Sequence, residues 1–351
     1  MKPVIAHSWR RAALIALLAC ATLSCGLQIS QGADPDSASP PRLLFTLDAA
    51  KCWSGPEAET VRTVSSVHPI VPTWAVNDLD KYLGISGDDV SRVVAFVTAD
   101  GNGGVGILTS KPYDLKAVLA ALAPAAKEET VAGHKYFSSP SGMAVLSLSD
   151  KELLISSVEG MPGVLKAKIN KSAAADFVKN ALAAKSSRVG LALRVRALRE
   201  GVDAPVTMFE GLAALTNSNE CTFSIEGDDK SLKVILRATY ADETQAEGGA
   251  EGMKEFVEAI RRYMESSQGE MSKFFAVQDA KFPGSKALGE RLNGASAQAE
   301  AALRAAKIER RGAVVEAQAT IATKEPVTTA VLLSTLLPRA KKQPGEKNPG
   351  E

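Results

Sequence analysis

Val90 to Thr98 reads VSRVVAFVT, Ala99 to Gly104 reads ADGNGG, and Val105 to Thr109 reads VGILT. In the first run Val93, Ala95 and Val97 fall on one side of an extended chain and Val94 and Phe96 on the other, so both faces are apolar. A strand with two apolar faces should sit centrally in a sheet. The Asp-Gly-Asn-Gly-Gly segment is turn chemistry, and Ile107 and Leu108 continue the apolar character behind it, which predicts a hairpin.

Outward from this hairpin the pattern alternates between helix and strand pairs. Leu115, Val118, Leu119 and Leu122 follow helical spacing behind Asp114 as N-cap, with Pro124 as the stop. Hairpins are predicted from Glu128–Val131 with Lys135–Phe137, and from Met143–Leu148 with Leu153–Ser157. Pro162 suits the first turn of a short helix ending by Ile169, and Ser172 is placed to cap a helix carrying Phe177, Val178, Ala181 and Leu182.

From Arg188 a similar order returns. Val189, Leu191, Leu193 and Val195 alternate with Gly190, Ala192, Arg194 and Arg196; a helix is expected over Val206–Leu215. Cys221, Phe223 and Ile225 then alternate up to a Gly-Asp-Asp-Lys turn, and Leu232, Val234, Leu236 and Ala238 alternate after it. Met253, Phe256, Val257, Ile260 and Met264 define an amphipathic helix with Glu258 and Arg262 spaced for an ion pair; the series Glu247, Glu251, Glu255 and Glu258 reads as its solvated face. An Ala-rich helix is expected over Ala287–Ala306, strands over Ile308–Arg310 and Val314–Thr323, and a helix from Pro326 carrying Leu332, Leu333, Leu336 and Leu337. Ala125-Ala126-Lys127-Glu128 before Gly133 is echoed by Ala305-Ala306-Lys307-Ile308-Glu309 before Gly312.

The fold class that follows is α+β: two similar halves, each a mostly antiparallel sheet with helices packed on one face, related by internal duplication. The expected organisation is a signal segment over residues 1–26, a disordered tether over 27–42, a first half over 43–185, a second half with a long helical insert over 186–338, and a disordered tail over 339–351.

The N-terminus points to export. Lys2, Arg10 and Arg11 precede the uncharged run Ala12 to Leu23, too short to span a bilayer and followed by small residues. A signal peptide cleaved after Ala21 or Gly26 fits, giving a periplasmic or extracellular chain. A lipoprotein signal is the alternative, in which Cys20 or Cys25 would carry the lipid, although Leu18 and Leu23 are large for the position two before the cysteine. No transmembrane helix is expected in the mature chain. Cys52 and Cys221 would then be the remaining cysteines, either buried thiols or a disulfide worth roughly 4 kcal/mol in the loop-entropy description.

Composition excludes several classes. The chain has 351 residues, 45% hydrophobic and 23% charged, with formal net charge +1, so no nucleic-acid partner is implied. Gly101 to Gly106 matches G-x-G-x-x-G, but a strand follows where a dinucleotide site needs a helix N-terminus. His68 and His134 sit in loop and turn settings, no pair of histidines or cysteines has metal spacing, and the serine-hydrolase motifs are absent. No cofactor, metal or catalytic residue is assigned. Dispersed carboxylates leave an extracytoplasmic hydrolase open, and aromatic residues at 5% are few for stacking sugars. Arg194 and Arg196 could hold an anion on an exposed sheet face, although a wet charged face explains them more simply.

The segments Val90-Ser91-Arg92-Val93-Val94, Thr109-Ser110-Lys111-Pro112-Tyr113-Asp114 and Gly133-His134-Lys135-Tyr136-Phe137 resemble a group of uncharacterised exported, secreted or membrane-associated, α+β proteins of the planctomycete type. The resemblance covers roughly Leu43 to Ile169 and implies fold and export without a mechanism. The expected role is therefore a non-catalytic exported protein that binds an envelope protein or component through a sheet face or the cleft between the halves. An extracytoplasmic hydrolase or a carrier of an apolar ligand is the alternative.

Overall fold

A computed structural model describes residues 41–50, 83–98, 100–169, 172–183, 189–193, 215, 217–227, 230–280 and 284–323. The expected helices at Val206–Leu215, apart from Leu215, and from Pro326, together with Arg194, Arg196, Cys20, Cys25, Cys52 and His68, lie outside the described residues.

Twelve strands form one continuous sheet in which every pairing is antiparallel. The first half contributes β1 (Leu43–Asp48), β2 (Val90–Val97), β3 (Gly103–Thr109), β4 (Lys127–Val131), β5 (His134–Ser138), β6 (Met143–Ser147) and β7 (Glu152–Ser157). A separate small ribbon pairs β8 (Lys168–Ile169) with β9 (Ser172–Ala173). The second half contributes β10 (Val189–Leu193), β11 (Glu220–Gly227), β12 (Ser231–Thr239), β13 (Lys307–Arg311) and β14 (Val314–Ala322). Across the sheet the order is β13-β14-β12-β11-β10-β1-β2-β3-β7-β6-β5-β4.

The seam between the halves is β1 against β10, with Phe45 opposite Leu191 at its centre. Both strands open a three-strand meander, β1-β2-β3 and β10-β11-β12, running outward in opposite directions. Antiparallel neighbours arranged this way are related by a pseudo-twofold axis normal to the sheet, so equivalent residues share a face. Reading the cross-strand partners outward from the seam, Phe45, Ala95, Val105 and Ile155 correspond to Leu191, Phe223, Leu236 and Ala317. The fold is thus α+β with two similar halves, and both central hairpins sit in the same order and direction. The first half differs by the added hairpin β6–β7, which separates β5 from β3, whereas β14 pairs directly with β12.

We call the side bearing Phe45 the front. In the first half α1 (Leu115–Leu122) lies there, with Val118 and Leu122 buried against Ala95, Val105, Ile107, Val145, Leu153 and Ile155. Asp114 accepts from the Lys116 backbone N–H at 2.9 Å and starts the helix. In the second half α4 (Glu243–Ser267) and α6 (Ser285–Arg304) cover the front, and α5 (Glu270–Gln278) packs beside α6. Met264, Ala299 and Ala302 bury against Ile225, Leu232, Ala319 and Ile321, while Met253 and Phe256 bury against Ala238, Val315 and Ala317.

The helix read from Met253 to Met264 is the centre of α4, which begins ten residues earlier because Asp242 accepts from the Gln245 N–H at 2.8 Å. Glu258 meets Arg262 at 3.1 Å, as its spacing predicted, and also meets Arg261. Arg261 reaches across to Glu300 at 2.8 Å, and Glu300 accepts from Arg304 at 2.8 Å, so a charge network ties α4 to α6. These arginines hold the Glu258 carboxyl down at about 2 and the Glu300 carboxyl below its usual range.

The back of the first half is also covered. Here α2 (Met161–Lys166) and α3 (Ala174–Ala183) bury Val164, Val178 and Leu182 on Val94, Phe96, Leu146 and Leu154. Gly106 permits the contact, since a Cβ there would stand 2.5 Å from Val178 Cγ1. Gly101, at φ 88, takes the left-handed turn, where Asn102 N–H donates to Asp100 at 3.4 Å and the Asn102 side chain at 2.7 Å. The G-x-G-x-x-G segment is accounted for by a turn and a helix contact. Ser172 lies in β9, and the helix it was expected to cap begins at Ala174. At the rim, Arg92 and Asp48 form a buried ion pair at 3.2 Å, a cross-strand pair on the back.

Candidate functional site: an open polar groove on the second half

The alternation of β11, β12 and β14 sends Cys221, Phe223, Ile225, Leu232, Val234, Leu236, Ala238, Val315, Ala317, Ala319 and Ile321 to the front, leaving their neighbours on the back. No described helix packs on this back face. A groove of about 400 Å³ opens there, lined by Glu220, Thr222, Arg237, Thr239, Glu309, Arg311, Val314 and Glu316.

The lining is two adjacent cross-strand rows. Thr222, Arg237, Glu316 and Glu309 lie opposite one another on β11, β12, β14 and β13; Glu220, Thr239, Val314 and Arg311 form the next row. Arg237 donates from Nε to Glu316 Oε2 at 2.9 Å, and from Nη2 to the same oxygen at 2.5 Å. Arg311 donates to Glu309 Oε2 at 2.7 Å. Both pairs are exposed, so each contributes ~0–1 kcal/mol and can be exchanged for a partner's polar groups at little cost. Among the described residues, the Glu220 carboxylate and the Thr222 and Thr239 hydroxyls make no hydrogen bond, which leaves an acceptor and two hydroxyls facing solvent.

The pseudo-twofold gives this groove a counterpart. The row Thr222, Arg237, Glu316, Glu309 maps onto Val94, Gly106, Leu154 and Leu146, three core side chains and the glycine that admits α3. Leu154 and Leu146 belong to the added hairpin β6–β7 and match Glu316 and Glu309 by place across the pseudo-twofold, not by chain order; at these places one half carries apolar core and the other a polar wall.

Other residues singled out from sequence do not converge on the groove. Cys221, beside it in sequence, is a free thiol on the front face; burial pushes its pKa up to about 12, so it is a poor nucleophile. His134 opens β5 on the far side of the sheet. Among the described residues no group of three or more His, Cys, Asp or Glu is placed to hold a metal ion. No described helix is long and apolar enough to cross a membrane. The groove residues themselves were visible only as the polar partners of the alternating strands; their convergence depends on pairings between distant parts of the chain.

Comparison with protein-family models finds no match, and comparison with curated protein sequences finds none. Among solved structures the chain is similar in outline to TP0453. Crystal form I is 13% identical with TM-score 0.37, the alignment covering 85% of this chain and 94% of that one. Forms III and IV are 11% and 10% identical with TM-score 0.40, covering 86% and 84% of this chain and 98% and 94% of theirs. The fold described above rests on its own strand pairing and not on that likeness.

Proposed function

We propose that the chain is an exported, non-catalytic binding protein, and that it meets an envelope protein or other envelope component on the polar back face of its second half. The observation that carries this reading is the contrast at equivalent positions, where Val94, Leu154 and Leu146 are core and Thr222, Glu316 and Glu309 are open. A polar sheet face on which no described helix packs, with two exchangeable ion pairs and two hydroxyls, suits a polar partner surface. Export rests on the signal-like N-terminus and on the resemblance to exported proteins of the planctomycete type.

The test is a photo-crosslinking amino acid at Thr222, with one at Lys179 on α3 as control, in protein made by its own host. A discrete adduct from position 222, absent from position 179 and weakened by Arg237→Glu, supports the reading. No adduct from position 222 overturns it. Mass spectrometry of the same material should give an N-terminus between Cys20 and Asp34, and an intact Met1 would sink the export claim.

Three glutamates on one groove keep a hydrolase as the second reading. It is weaker because Glu316 and Glu309 are each tied to an arginine, so that among the described groove residues only Glu220 has no such tie.

A further inference from the structure

Among the described residues the sheet does not close, and β4 and β13 are its two outermost strands. Both β4 and β13 are five residues long, each is the first strand of its hairpin, and both are exposed along nearly their whole length. Among the described residues no further strand lies beside either edge. Such edges present unpaired backbone donors and acceptors to any strand that can align with them.

Their charges are opposite. β4 carries Lys127, Glu128 and Glu129, net −1, whereas β13 carries Lys307, Glu309, Arg310 and Arg311, net +2. Charged side chains guard an edge against pairing, and a guard works with either sign. Unlike signs on the two edges do something further: β4 against β4 and β13 against β13 repel, while β4 against β13 attracts.

The strand count permits that contact. With twelve strands and only antiparallel pairs, the two outer strands run in opposite directions. A second copy displaced along the sheet therefore continues the alternation, with its helices on the same faces. Glu129 and Lys127 lie on the back face, as do Lys307 and Glu309, since Glu128 and Ile308 lie opposite the front-facing Phe137 and Ala317. The face-preserving register that sets Glu129 opposite Lys307 also sets Lys127 opposite Glu309, with no like charges opposed.

We infer that this protein associates with further copies of itself head to tail, the β4 edge of one copy adding to the β13 edge of the next. The contact is heterologous, so it builds an open series of sizes and not a closed dimer. Each addition places a neighbour's β4 against Lys307 to Glu309 of β13, at the Glu309 side of the groove.

Analytical ultracentrifugation of the purified full chain over a concentration series tests this, at low and at high ionic strength. The expected result is progressive association at low ionic strength that is dispersed by salt while the circular dichroism stays unchanged. Glu129→Lys and Lys307→Glu should each weaken association by about tenfold, since each sets like charges opposite one another, and the double variant, which restores an opposite-charge pair with its signs exchanged, should recover it. A monomer at every concentration, a dimer that grows no further, or association untouched by either single variant would each overturn the inference. Because the measurement needs no partner, its outcome is independent of the crosslinking result.

Discussion

The row Val94, Gly106, Leu154 and Leu146 and the row Thr222, Arg237, Glu316 and Glu309 occupy the same place on either side of the pseudo-twofold, yet the first lies under α3 and over the second no described helix packs. The meander and its front-face helices are common to both halves; the back face is where they part. In the first half the chain after β7 turns into α2 and α3 and doubles the number of apolar faces. In the second half the apolar alternation of β11, β12 and β14 serves the front alone. Apolar packing is therefore concentrated in the half that has described helices on both faces of its sheet, while in the other half no described helix packs on the back.

Exchanging residues between equivalent positions is the strongest way to break this comparison. Leu154→Glu places a carboxylate under α2 and α3 without a partner and should cost more than about 4 kcal/mol, whereas Glu316→Leu removes one exposed ion pair and should stay within about 1 kcal/mol. Urea denaturation of the two variants measures both, and equal losses would end the claim that the back faces differ. Gly106→Ala, which pushes its Cβ toward Val178, should cost about 1–3 kcal/mol through displacement of α3.

Two pH windows separate the halves next. In the second half the Glu258 carboxyl is held down at about 2 and Glu300 below its usual range, so their support is present above the unfolded value near 4.5 and is lost as pH falls from there toward 2. Helical circular dichroism should decline over that window, and Arg261→Met should flatten the decline. In the first half Tyr136 is raised to about 12 by burial and by donating to Glu129 at 2.6 Å, so its support holds below pH 10 and is lost as pH rises toward 12. Hydrogen exchange in β4 and β5 should accelerate in that alkaline range, and Tyr136→Phe should remove the dependence.

The smallest effect concerns the hairpin turns that end in the two edges. Ala132 holds φ 51 beside Gly133 at φ 81, a two-residue turn that favours Asn-Gly over Ala-Gly. Ala132→Asn should stabilise the chain by about 1 kcal/mol in thermal unfolding.

Local pattern carried much of this fold. The two apolar faces of Val93 to Val97 announced a strand inside the sheet, and the turn at Gly101 excluded a nucleotide site because a strand followed. The Glu258–Arg262 pair followed from spacing alone. The Ala-Ala-Lys echo marked β4 and β13, which proved to be the two edge strands. What local pattern could not carry was adjacency: the meeting of β1 with β10, the insertion of β6–β7 between β5 and β3, and the pairing of Arg237 with Glu316 across 79 positions. The groove depends on these long-range registers, so its eight residues could be seen as a polar alternation and not as a site. Of the two readings of Cys52 and Cys221, buried thiols or a disulfide, Cys221 is a free thiol, and Cys52 lies outside the described residues.

The seam between β1 and β10 also sets an order of events as the chain folds. Leu43 meets Leu193, and β2, itself paired to β3, already supplies β1 with its other neighbour, so the first half can assemble around Val90 to Thr109 from nearby partners. Until Val189 to Leu193 has been made, one side of β1 has no strand. A chain synthesised from its N-terminus then passes through a stage in which a finished seven-strand half waits with a bare central edge, and β10 closes it as the first strand of the second half. Slowing the production of β10 should prolong that stage, during which β1 offers its bare edge to a wrong strand.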